Sequence, residues 1–106
     1  MDFRQIEAFV NVVKHRSFSK AADATYLTQP TISAHIQTLE KELQMQLIDR
    51  SRKEALPTAE GRLFYDYALI MLNTREQAVY SLQNFCLNIN GVVEIQASSI
   101  PGEYLV

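Results

Sequence analysis

A single cysteine, Cys86, is all the thiol that the 106 residues contain, so no intramolecular disulfide can form and a reducing compartment suits the chain. No apolar run is long enough to cross a bilayer. The opening stretch "MDFRQIEAF" lacks the basic start and apolar block of a signal peptide. These absences predict a soluble, cytoplasmic protein with no membrane partner. No strong excess of one charge is present either. The formal net charge is -2, with eight Lys/Arg against seven Asp/Glu in residues 1–58 and two against five in residues 59–106. Any basic surface must therefore be a local patch. Internal repeats and low-complexity tracts are absent. So are Ser/His/Asp arrangements, metal-ligand clusters and glycine-rich phosphate loops, which argues against an enzyme and against a cofactor or metal. Asp49 and Glu54 flank basic residues and fit a solvated loop.

What is present is a mainly helical pattern. With 47% hydrophobic and 21% charged residues the chain can bury a core. Residues 2–15 predict a first helix capped by Asp2, with Phe3, Ile6, Phe9, Val10 and Val13 as its apolar stripe. Lys14, His15 and Arg16 crowd its C-terminal end, where the helix dipole favours positive charge. "SFSKAADATYL" predicts a short second helix capped by Ser17 or Ser19. Its small Ala21, Ala22 and Ala24 would let another helix cross closely.

The stretch "LTQPTISAHIQTLEKELQ" carries Ile32, Ile36, Leu39 and Leu43 at i, i+4, i+7 and i+11, one face of a helix. Pro30 is a start signal rather than a breaker. With Thr28 as N-cap it falls at N2, where no intrahelical N–H is lost. The opposite face holds Pro30, Ala34, Gln37 and Lys41, flanked by Ser33 and Thr38, a small and amide-rich surface able to approach another closely. Residues 47–57 predict two very short strands, Leu47–Ile48 and Ala55–Leu56, around a basic turn with Arg50, Arg52 and Lys53. Pro57 is expected to end that unit.

Thr58 then caps a long helix in which no breaker appears from Arg62 to Asn90. Phe64, Ala68, Met71, Arg75, Ala78, Leu82, Phe85 and Ile89 follow a 4-3 spacing, a coiled-coil-like seam interrupted by Arg75. Leu63, Tyr67 and Ile70 form a second stripe. A helix of about 30 residues would extend roughly 45 Å, more than a small domain can cover, so a partner is implied. The expected dimer interface is Phe64, Tyr67, Ala68, Met71, Ala78, Leu82, Phe85 and Ile89, and glutamate at Phe64 and Met71 is expected to give monomers. Cys86, beside Phe85, fits a packed rather than a redox-sensing cysteine. Gly91 ends the helix, "VVEIQA" alternates like a strand, and the chain is expected to be a fragment of a longer protein.

A short helix, a tight turn and a second helix with a clean outer face make a helix-turn-helix, in which the second helix meets base edges in the major groove. Gln29 and Gln37 can read adenine bidentately, the Thr31 methyl can touch a thymine methyl, and Ser33 can bond a phosphate or base. Free N–H groups after Thr28 can hold a phosphate. The basic turn would be a wing at the minor groove or backbone. His35, at the flank of this helix, fits either surface or DNA contact. A helical protein-protein module dimerising through residues 59–89 is the alternative.

Phe18, Ala21-Ala22, Gln29-Pro30, Ile32-Ser33, Ile36, Leu39-Glu40, Leu43, Leu47, Arg50, Thr58 and Gly61 stand in the order and spacing of the LysR-type transcriptional regulators. The chain resembles that bacterial family over about its first 60 residues, and its long helix and trailing strand resemble the family's linker helix and the opening of its effector domain. The resemblance implies a winged helix-turn-helix at 1–58, a linker and dimerisation helix at 59–90, and the start of a truncated effector domain at 91–106. It implies double-stranded DNA and a second copy as partners, tetramers in the full-length protein, and a small-molecule effector bound by the missing C-terminal domain. The candidate DNA contacts are Thr28, Gln29, Pro30, Thr31, Ser33, Ala34 and Gln37, with Arg50, Arg52 and Lys53 of the wing. Alanine at Arg50 or Lys53 is expected to flatten the salt dependence of binding. Thr25, Ala34, Ile48, Lys53 and Pro57 depart from the usual family residues, and Ala34 removes one expected contact.

Overall fold

The computed structural model describes residues 1–90, with side chains through Leu87. Its elements are α1 (Phe3–His15), α2 (Phe18–Thr25), α3 (Gln29–Leu43), β1 (Ile48–Asp49), β2 (Leu56–Pro57) and α4 (Ala59–Asn90). The expected strand at 92–97, the effector-domain opening at 91–106 and the Ile89 side chain lie outside the described residues.

Local chemistry sets the helix ends. Asp2 caps α1 by accepting the Gln5 N–H at 2.9 Å, and the Gln5 side chain accepts the Asp2 N–H at 3.3 Å, a reciprocal capping box. That Gln5 bond is the main reason the Asp2 carboxyl lies below its usual range. Ser17, not Ser19, caps α2. Thr28 caps α3 by accepting from Thr31, with Pro30 in the first turn as expected. The first three helices each end on a residue in the left-handed region, Arg16, Tyr26 and Gln44. None of the three is glycine.

Packing follows the stripes with adjustments. α1 packs on both α2 and α3, and α2 on α3. The core holds Ile6, Phe9 and Val12 of α1, Ala21 and Ala22 of α2, Ile32, Ile36 and Leu39 of α3, then Leu47 and Ile48. Phe3 is exposed, and Val12 rather than Val13 is fully buried. α2 stops at Thr25, short of Leu27, and Ala24 faces solvent, so only Ala21 and Ala22 serve the close crossing.

The strands sit one residue later than expected, Ile48 opposite Pro57 and Asp49 opposite Leu56. Leu47 and Ala55 are buried and flank the ladder, with Leu47 facing Thr58 in the same register. The Leu47 N–H goes to Glu40, its carbonyl to the Thr58 N–H, and the Ala55 N–H to the Arg16 carbonyl. Proline is tolerated in β2 because a two-stranded sheet is all edge.

Met1–Asn73 forms one compact unit, and 74–90, the rest of α4, belongs to a second. In the first unit the start of α4 packs inward. Phe64 and Tyr65 lie against Phe9 with ring centroids 5.4 and 6.3 Å away, Ala68 is 0% exposed, and Met71 and Leu72 pack on the core. Of the expected interface residues, Ala68 is buried in the chain's own core, and Phe64 and Met71 pack against that core while remaining partly exposed. The second stripe is the open one, with Leu63 64%, Tyr67 58% and Ile70 58% exposed. Within the second unit Ala78, Leu82, Phe85 and Cys86 are exposed.

Candidate nucleic-acid interface

Three residues, Tyr26, Leu27 and Thr28, join α2 to α3. Tyr26 adopts φ 60° and its N–H bonds the Ala22 and Asp23 carbonyls, while the Leu27 N–H returns to the Ala22 carbonyl at 3.0 Å. Paired bonds of this kind close a helix sharply. The Thr25 hydroxyl donates to the Ala21 carbonyl at 2.8 Å. Thr28 immediately caps the next helix, so the chain reverses into α3 without slack.

α3 divides cleanly. Ile32, Ile36 and Leu39 are buried, whereas Gln29, Pro30, Ala34, Gln37, Thr38 and Lys41 are exposed. Thr31, Ser33 and His35 are half-buried. The Thr28 and Thr31 hydroxyls lie 2.8 Å apart and bond each other, Pro30 has no N–H, and the Thr31 N–H is taken by the Thr28 cap, so the α3 start offers the Gln29 N–H and amide more readily than these groups.

The structure brings part of the candidate set together. Gln29 and Ser33 share one groove with Arg50, Arg52 and Lys53, along with Phe18 and Ala55. Pro30, Ala34 and Gln37 are exposed on α3 but do not line that groove. The three cations differ in state. Lys53 is exposed and has no ion pair among the described residues. Arg52 lies 3.7 Å from the Asp49 carboxylate and is largely exposed. Arg50 is more enclosed. Its Nη1 donates to both Glu40 oxygens at 3.2 and 3.4 Å, and its guanidinium carbon lies 5.4 Å from the Phe18 ring centroid. The Ser51 hydroxyl and N–H donate to Asp49, which with the nearby Arg52 hold that carboxyl below its ordinary range against a smaller desolvation effect.

Sequence reasoning placed Thr58 as the cap of α4 but missed the long-range bonds of Glu40 and of the Thr58 hydroxyl that support this site. Glu40 accepts the Leu47 and Ile48 N–H groups at 2.7 and 3.1 Å, tying α3 to β1. Thr58 accepts the Gly61 N–H at 3.0 Å and donates its hydroxyl to the Gln46 carbonyl at 2.6 Å, tying the start of α4 to the segment before β1. No periodicity signals the Glu40 bonds or the Thr58–Gln46 bond, because each reaches backbone beyond the next helical turn. Among the described residues no group of three or more His, Cys, Asp or Glu is placed to hold a metal, and no helix is long and apolar enough to cross a membrane.

Residues 3–62 match the family model described as bacterial regulatory helix-turn-helix protein, lysR family. The chain is 43% identical over 79 residues to the HTH-type transcriptional regulator BenM of Acinetobacter baylyi, covering 74% of this chain and 26% of that protein. It is 32% identical over 100 residues to the HTH-type transcriptional regulator CitR of Bacillus subtilis, covering 94% and 34%. The chain thus spans only 26% and 34% of the length of these two relatives. Among solved structures, the crystal structure of the BenM DBD/benA site 1 DNA complex superposes with a TM-score of 0.79 at 40% identity, covering 81% of this chain and 97% of that one. The CbnR DBD–DNA complex superposes with a TM-score of 0.76 at 28% identity, covering 81% and 99%.

Proposed function

This chain belongs to the lysR family of bacterial regulatory helix-turn-helix proteins, and from that premise we propose that it is the DNA-binding and dimerisation part of a sequence-specific transcription regulator. The observation that carries the reading is the shared groove. An exposed amide and a hydroxyl from the first turns of α3 stand beside the cations of the wing, in a fold similar to chains solved on DNA. α3 enters the major groove with its N-terminal end foremost. Gln29 reads a base edge with its side chain and holds backbone phosphate with its N–H, and Ser33 bonds a base or phosphate. Pro30, Thr31, Ala34 and Gln37 give van der Waals and amide contacts along the same face. Arg52 and Lys53 neutralise phosphate or enter the minor groove.

Residues 1–58 act as the reader and 59–90 as the linker, and 91–106 open a domain that binds a small effector in the full-length protein. That protein works in the cytoplasm, by binding rather than by catalysis, as a dimer that can assemble further. Two copies meet along α4 through Leu63, Tyr67 and Ile70 and, farther on, Ala78, Leu82 and Phe85. They present two α3 helices to a partly palindromic site.

Electrophoretic shift of genomic fragments tests the reading. Selected fragments should be retarded, and a complete absence of retarded bands at low salt would overturn it. Gln29→Ala should weaken binding to a selected fragment by about 1–3 kcal/mol while leaving scrambled DNA nearly unaffected. Equal weakening on both would remove Gln29 from base reading. Arg52→Ala and Lys53→Ala should weaken binding on every sequence. Each should reduce the slope of log affinity against log salt by about 0.9 for every phosphate left unneutralised, and an unchanged slope would place that side chain off the backbone.

A further inference from the structure

We propose that Glu40 and Arg50 are positioning residues that brace the wing against α3 across the Phe18 ring, so that Arg50 acts on DNA through geometry and not by touching phosphate. The inference rests on the DNA-binding reading above.

Glu40 is the anchor. Its side chain is only 11% exposed, and a carboxylate withdrawn from water needs its lone pairs satisfied. The Leu47 and Ile48 N–H groups and the Arg50 guanidinium supply those bonds. All three partners belong to the segment that enters and leaves β1, so one α3 side chain fixes that strand at three points. Arg50 completes the arrangement. Its guanidinium stands over the Phe18 ring within cation–π reach, and its side chain is 32% exposed against 68% for Arg52. An Arg50 that turned to a phosphate would strip the enclosed carboxylate of its only cation among the described residues. Beyond Arg50 the chain runs straight into the tip that carries Arg52 and Lys53. The brace therefore sets where those two cations stand relative to Gln29 and Ser33, which ride on the same helix as Glu40.

Salt dependence separates a brace from a phosphate ligand, because only a side chain that neutralises phosphate changes the number of counterions released. Binding of the whole chain to a selected genomic duplex and to its scrambled counterpart is measured across a salt series for the unsubstituted chain and four variants. Lys53→Met should lower the slope by about 0.9 on both duplexes. Arg50→Met should bind the selected duplex roughly tenfold more weakly and the scrambled one less affectedly, with its slope unchanged. Arg50→Lys should not restore the preference, since a lysine keeps the charge but lacks the flat, forked group that spans Glu40 and Phe18. Glu40→Gln releases Arg50, so preference should fall while the slope stays level or steepens. If Glu40→Gln does not fold, as read from its helical melt, the two Arg50 variants decide. A slope for Arg50→Met that falls as it does for Lys53→Met, or full rescue by lysine, overturns the brace and leaves the DNA-binding reading standing. Failure of the unsubstituted chain to bind either duplex overturns both.

Discussion

Gly61→Ala should destabilise the folded chain by about 3 kcal/mol, lowering the melting temperature by roughly 15 °C. A helix interior ordinarily gains close to 1 kcal/mol when alanine replaces glycine, so the expected sign is opposite to propensity. Space decides it. Gly61 is buried in the first turn of α4, and a Cβ there would stand 2.0 Å from the Leu47 carbonyl oxygen and 3.0 Å from its carbon. That carbonyl cannot retreat cheaply. It accepts the Thr58 N–H at 3.0 Å, and the N–H of the same residue is held by Glu40. Moving Leu47 would break the tie between α4 and β1 and disturb the tie between β1 and α3. Arg62→Ala, one position along on an exposed site, should change the melt little and serves as the control. A Gly61→Ala variant that melts like the parent would show that α4 leaves the wing strand more room than this packing allows.

The second large effect distinguishes the two apolar faces of α4. Phe64→Glu should abolish cooperative unfolding, because truncating a core aromatic alone costs about 3–5 kcal/mol and an unpaired carboxylate beside Phe9 adds a desolvation penalty. Glutamate at Leu63, Tyr67 or Ile70 should leave the unit from Met1 to Asn73 folded, since these side chains face solvent in the single chain, yet should shift sedimentation from dimer to monomer. Helical circular dichroism with a thermal melt reads the first outcome and sedimentation velocity the second. A folded, monomeric Phe64→Glu would return Phe64 to the interface between copies. A Tyr67→Glu and Ile70→Glu chain that still sediments as a dimer would place the interface elsewhere on α4.

Helix boundaries were legible because their determinants are local. Asp2, Ser17 and Thr28 each accept an N–H three residues ahead, and a proline in the first turn of α3 is informative from the sequence alone. The outer face of α3 was legible for the same reason, since a stripe at helical spacing defines its own opposite. The one-residue offset of the strands was not legible. Four residues carry too little pattern to fix a register, and the backbone around them is held by Glu40 and Arg16 from elsewhere in the chain. Arg50 was legible as a cation on a turn, but its neighbours Glu40 and Phe18 come from two other helices.

By itself the order of residues determined that three short helices and a long one form, where all but the second begin, and which faces avoid water. Backbone caps and periodic side-chain spacing act within a few residues, so the linear chain contains them whole. Tertiary structure alone decided what those faces meet. It turned Phe64, Ala68 and Met71 toward the chain's own core and left Leu63, Tyr67 and Ile70 open. It also joined Glu40 to β1 and pressed Gly61 onto Leu47. Hydrophobic burial is non-directional: a repeat states that a face must be covered, and only the three-dimensional packing supplies the surface that covers it.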